Sequence, residues 1–169
     1  MQPRKDYYPN GTLRGITYYN EEGQIHRKGR PALRRYDLQG RLTRCEFYRK
    51  GHLHRVGDAA RVSYYPNRRI ARMEYFDEGQ KHREDGPATI EYAEDGTVIG
   101  ESYWYLNRLH RADGPAIIQY RENGTVRAED YWVEGRCHRT EGPATIWYHE
   151  DGTVEGVEFW VKGDEVESL

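Results

Sequence analysis

Five histidines fall at a constant spacing of 28 residues, His26, His54, His82, His110 and His138, with no insertion or deletion between them. A fixed period of this length means that one small structural unit is repeated and stacked on its neighbours, so the fold is an array rather than a single globular core. Other columns keep the same register. Arginine follows each histidine (Arg27, Arg55, Arg83, Arg111, Arg139), and tyrosine comes later in each unit (Tyr36, Tyr64, Tyr92, Tyr120, Tyr148). Alanines Ala32, Ala60, Ala88, Ala116 and Ala144 lie between them, preceded by proline except at Ala59. A second segment opens on Gly40, Gly96, Gly124 and Gly152, with Arg68 in that place once, and closes on aromatic pairs such as Tyr103–Trp104 and Phe159–Trp160.

Within one unit, Ala88, Ile90 and Tyr92 alternate with Thr89 and Glu91, the period-two pattern of a half-buried strand. Asp85-Gly86 and Asp95-Gly96 carry turn chemistry on either side, and a second strand runs over 97–105. Strands in sequence joined by tight turns form an antiparallel meander. The expected fold is therefore all-β: a single extended, twisted antiparallel β-meander of about five and a half two-stranded repeats. The whole chain, 1–169, is expected as one repeat domain, with a partial unit at 7–23, full units at 24–51, 52–79, 80–107, 108–135 and 136–163, and a tail at 164–169. Composition agrees: hydrophobic residues are only 36% of the chain while tyrosines number 15, which suits stacked columns better than a thick aliphatic core.

The units resemble the MORN-repeat variant family. The resemblance rests on Tyr7-Tyr8-Pro9-Asn10-Gly11, Tyr64-Tyr65-Pro66-Asn67, closures such as Trp132-Val133-Glu134-Gly135, and the His-Arg-x-Asp-Gly-Pro-Ala form at 82–88 and 110–116, which is similar to arrays of large DNA viruses and phages. It implies β-hairpin arrays that act as binding scaffolds, some members serving as antitoxin or immunity proteins.

Chemistry is expected to be absent. A catalytic centre is needed once, whereas the His-Arg motif recurs with every turn, so its histidines are read as turn-stabilising. Histidines one unit apart sit roughly 10 Å from each other and do not share a zinc ion. No enzyme activity, cofactor or metal is expected, and the two cysteines, Cys45 and Cys137, are expected to be unlinked in a reducing, cytoplasmic setting with no secretory signal.

Binding is the alternative to chemistry. Residues 1–84 carry 19 Lys+Arg against 10 Asp+Glu, and residues 85–169 carry seven against 18. Arg34, Arg35, Arg44, Arg61, Arg68, Arg69 and Arg72 crowd the basic half, Ile117 stands where two other units carry Arg61 and Thr89, and Trp147 stands where other units carry Arg35, Ser63, Glu91 and Gln119. These nine are the candidate partner-binding residues. The expected partner is another protein. A toxin or effector held by an antitoxin-type inhibitor, and nucleic acid held by the basic half, stand as alternatives. No membrane span is expected, and the charge asymmetry predicts a monomer with weak, salt-sensitive self-association.

Overall fold

The computed structural model describes residues 3–168. It contains strands and turns and, among the described residues, no helix. Two compact units are present: residues up to Gln80 with Glu94–Gly96 form the first, and Lys81–Ala93 with the chain from Thr97 onward form the second.

In the first unit six strands succeed one another in chain order: Arg4–Tyr7, Leu13–Thr17, Leu33–Tyr36, Leu42–Glu46, Arg61–Tyr64 and Ile70–Glu74. In the second, seven do so: Thr89–Tyr92, Val98–Ser102, Ile117–Tyr120, Val126–Asp130, Thr145–Tyr148, Val154–Val161 and Asp164–Val166. The strand pairings in each are antiparallel, so the fold is the all-β meander that the alternation predicts. Two terminal strands exceed the expected number. Arg4–Tyr7 precedes the expected partial unit, and Asp164–Val166, expected as a tail, pairs with the end of Val154–Val161.

In the four repeats before the last, the expected second strand is two elements, whereas in the last it is the single strand Val154–Val161. Val98–Ser102 stops before Tyr103, and Trp104–Tyr105 then pairs with Arg108–Leu109 in a miniature hairpin outside the main sheet. Tyr103 makes the corner: its amide donates to the Ala116 carbonyl and its carbonyl accepts from the His110 amide. Tyr48–Arg49 with His52–Leu53, and Trp132–Val133 with Arg136–Cys137, repeat this arrangement. Their two-residue turns, Lys50-Gly51 and Glu134-Gly135, have positive φ at both positions, the type I′ geometry that matches strand twist.

Register fixes two faces. In the first unit one face carries the row Thr17, Leu33, Glu46, Arg61, Glu74 beside the row Gly15, Arg35, Arg44, Ser63, Arg72, while the other carries Ile16, Arg34, Cys45, Val62 and Met73. In the second unit the corresponding rows are Thr89, Ser102, Ile117, Asp130, Thr145, Glu158 and Glu91, Gly100, Gln119, Ala128, Trp147, Gly156. Ile117 and Trp147 therefore share a face, opposite Ile118 and Ile146. A bulge before each repeat tyrosine, as between Gln119 and Tyr120, re-aims the ring.

The core is thin. Ala32, Ala60, Ala88, Ala116 and Ala144 are all 0% exposed, and no large side chain among the described residues is fully buried. Stability must therefore come from repeat-to-repeat contacts and polar pairing, as in quasi-one-dimensional folds. One turn departs from the pattern. Arg68 has φ 69° where the other repeats place glycine, a left-handed conformation that costs an L-residue roughly 1–2 kcal/mol. Arg68→Gly is expected to raise stability by roughly 0.5–1 kcal/mol, after glycine's own entropic cost. Urea unfolding of the two proteins checks the sign.

Candidate functional site

In each unit the His-Arg motifs lie beside the miniature hairpins, and their histidines bond to the hairpin turns. Nδ1 of His26 accepts the Lys50 amide at 3.2 Å, and Nδ1 of His110 and of His138 accept the Glu134 and Lys162 amides at the same distance. Each of these histidines thus ties the start of its repeat to the hairpin turn at that repeat's end. His82 differs. Its Nδ1 is buried without a hydrogen-bond partner, and its ring meets Tyr105 edge-on at 4.9 Å. The turn opposite it is Leu106-Asn107, where Asn107 Oδ1 takes the Lys81 amide at 2.7 Å.

The arginines are equally committed. Arg27 lies 3.8 Å over Tyr18, Arg55 3.9 Å over Phe47, Arg111 4.0 Å over Tyr103 and Arg139 3.9 Å over Tyr131. Each also donates to a backbone carbonyl four residues on, as Arg111 does to Pro115 at 3.3 Å. Asp85 and Asp113 pair with Arg83 and Arg111 at 3.0 and 3.1 Å.

The crowded arginines of the first unit meet carboxylates across the strands. Arg35 pairs with Asp6 at 2.8 Å. Arg61 bridges Glu46 at 2.7 Å and Glu74 at 3.4 Å, and Arg44 and Arg72 flank the same two glutamates. The Arg14 hydrogen bond, with Arg35 assisting, holds the Asp6 carboxyl below its ordinary range. Arg34 sits on the opposite face beside Cys45, whose thiol burial pushes upward. Arg69 donates to the carbonyls of Glu94 and Asp95. Arg68 is the exposed turn residue described above. Of the two apolar candidates, Ile117 lies between Ser102 and Asp130, and Trp147 packs over Gly156 in a shallow hollow of about 310 Å³ with Arg121, Arg127 and Glu155.

Burial and a hydrogen-bonded glutamate act together on three tyrosines. Tyr48 donates to Glu46, Tyr120 to Glu101 and Tyr148 to Glu129, and each phenol is pushed up to about 12 from an ordinary value of 10. A phenol that loses its proton less readily when folded stabilises the fold fully below the unfolded value and loses that contribution as pH rises through the folded one. Stability is therefore expected to fall between pH 10 and about 12. Tyr148→Phe should flatten the decline, measured by unfolding alongside ultraviolet tyrosinate absorbance.

One cluster has metal-ligand character. His54 Nδ1 lies 2.9 Å from Asp77 and 3.4 Å from Glu78, and the ligand atoms of the three all fall within 4.8 Å of one another. Arg49 sits 3.3 Å from the other ring nitrogen and 3.5 Å from Glu78, so a cation already lies against the cluster and it forms an ion-pair network. Cys45 and Cys137 are free and buried.

Within each unit, grooves that the arginine count in the sequence did not single out lie between successive His-Arg turns. In the first unit one of about 660 Å³ lies between the turns at 26–29 and 54–56, floored by Phe47 and Tyr48. In the second unit grooves of about 590 and 410 Å³ lie between the turns starting at Arg83, Arg111 and His138. The readable signal was a substitution: Lys28-Gly29 and Val56-Gly57 stand where later repeats have Glu84-Asp85, Ala112-Asp113 and Thr140-Glu141.

No protein-family model matches the chain, and no curated protein is similar to it. Among the described residues no helix is long and apolar enough to cross a membrane.

Proposed function

We propose that the chain is a non-enzymatic scaffold for protein–protein interaction, an array of the MORN-variant type found in large DNA viruses and phages. One observation carries this reading. The residues with catalytic chemistry, the histidines and arginines of the repeat, are spent on contacts that hold the array together, while in each unit open grooves are left between the His-Arg turns. Grooves of 410–660 Å³ with charged rims suit side chains of a partner's segment. The buried free thiols suit a reducing compartment.

The test is recovery of the chain from its native cells, as wild type and with exposed groove substitutions in each unit, Val56→Asp and Glu84→Lys. The expected result is a stoichiometric complex with another protein that one of the substitutions weakens. A chain recovered alone, or a complex indifferent to both substitutions, would contradict the proposal.

A further inference from the structure

The groove of the first unit differs in charge from its counterparts, and the repeats serve as one another's controls. Its lining includes Arg27, Lys28, Arg49 and Arg55 and no carboxylate. The grooves of the second unit include Glu84, Asp85 and Asp113, or Asp113 and Glu141, against two arginines each. Arg49 and Arg55 have carboxylate neighbours outside the groove, Glu78 at 3.5 Å and Asp58 at 2.8 Å. Arg27 is held by the Tyr18 ring and the Pro31 carbonyl, and neither it nor Lys28 pairs with a carboxylate among the described residues. Val56, 84% exposed, stands on the rim.

We propose that this groove binds an acidic segment of a partner protein, with carboxylates at Arg27 and Lys28 and an aliphatic side chain against Val56. The inference rests on the scaffold reading and names the partner chemistry for one groove. Cations at the mouth of an open groove steer and orient an anionic ligand. A peptide fits better than a nucleic acid because the Phe47 face on the groove floor is covered by Arg55 at 3.9 Å, which removes a platform that bases could stack on.

The experiment uses a fluorescein-labelled peptide of alternating glutamate and valine, read by anisotropy against the full chain. Three proteins are compared: wild type, the double variant Lys28→Glu/Val56→Asp, and Glu84→Lys as a second-unit control. Lys28, Val56 and Glu84 are exposed turn residues, and far-ultraviolet circular dichroism verifies that each variant folds. Saturable binding by wild type is expected, weakened about tenfold or more in the double variant and not weakened in the control. It should also weaken as salt rises from about 0.01 to 0.15 M. Absence of saturation, equal affinity in the double variant, or equal affinity for an oligo-dT probe would overturn the inference. If the native complex is weakened by Glu84→Lys but not by Val56→Asp, the scaffold reading stands and this groove assignment falls.

Discussion

Arg61→Ala is expected to destabilise the first unit by about 3 kcal/mol, the lower end of the range for removing one partner of a buried ion pair. The Glu46 side chain is only 3% exposed, and Arg61 supplies its shortest ion pair, at 2.7 Å. Arg61 itself keeps 28% exposure and also reaches Glu74 at 3.4 Å and the Phe76 ring at 5.3 Å. Without it, Glu46 retains Arg44 at 3.3 Å and the Tyr48 hydroxyl at 3.0 Å, which is why the loss is placed at the lower end. Adding Glu46→Gln to Arg61→Ala should recover part of the loss, since the uncompensated charge disappears. Urea unfolding by far-ultraviolet circular dichroism is the measurement, because none of the four tryptophans lies in this unit. A loss below about 1 kcal/mol would show that solvent screens the pair as it does at a surface.

Arg111→Ala is expected to cost about 2–3 kcal/mol in the second unit. It removes a cation–π contact worth roughly 0.5–2 kcal/mol and a charged hydrogen bond worth about 1.5–3 kcal/mol, terms that do not add fully. Arg111→Lys should restore little. The guanidinium stacks on Tyr103, donates through Nη1 to Pro115 and pairs through Nε with Asp113, and a point ammonium cannot make all three contacts. Tryptophan fluorescence monitors this unit, which contains Trp104, Trp132, Trp147 and Trp160. A lysine variant as stable as wild type would mean that charge alone matters at this position.

Period and alternation were enough to read the meander, because strands such as Thr89–Tyr92 are long enough to show their two faces. The miniature hairpins were not readable. A two-residue strand such as Trp104–Tyr105 has no period, and Tyr103 looks like its continuation until the corner hydrogen bonds to Ala116 and His110 are seen. The arginine-rich segment was legible as composition and not as a surface. Arg61 meets Glu46 and Glu74 only through strand register, across 15 and 13 residues of sequence. Counting charges along the chain therefore pointed to Arg35, Arg44, Arg61 and Arg72, which lie beside carboxylates. Arg27 and Lys28, which no carboxylate meets among the described residues, stand where a glycine replaces the turn acid. In a repeat, residues that recur hold the array together, and residues that depart from the pattern are where a particular function can be placed.

The claim that the histidine column is architectural is tested most directly by the ring tautomers. An Nδ1 that accepts a backbone amide carries no proton, so His26, His110 and His138 should each be in the Nε2–H form, with protected amides at Lys50, Glu134 and Lys162. Two-bond nitrogen–proton correlation spectra of the imidazoles, recorded with hydrogen exchange of those amides, read both at once. The predicted result is the same Nε2–H pattern at all three histidines with slow exchange at all three amides. Protons on Nδ1, or freely exchanging amides at these turns, would contradict it and leave the histidines available for chemistry.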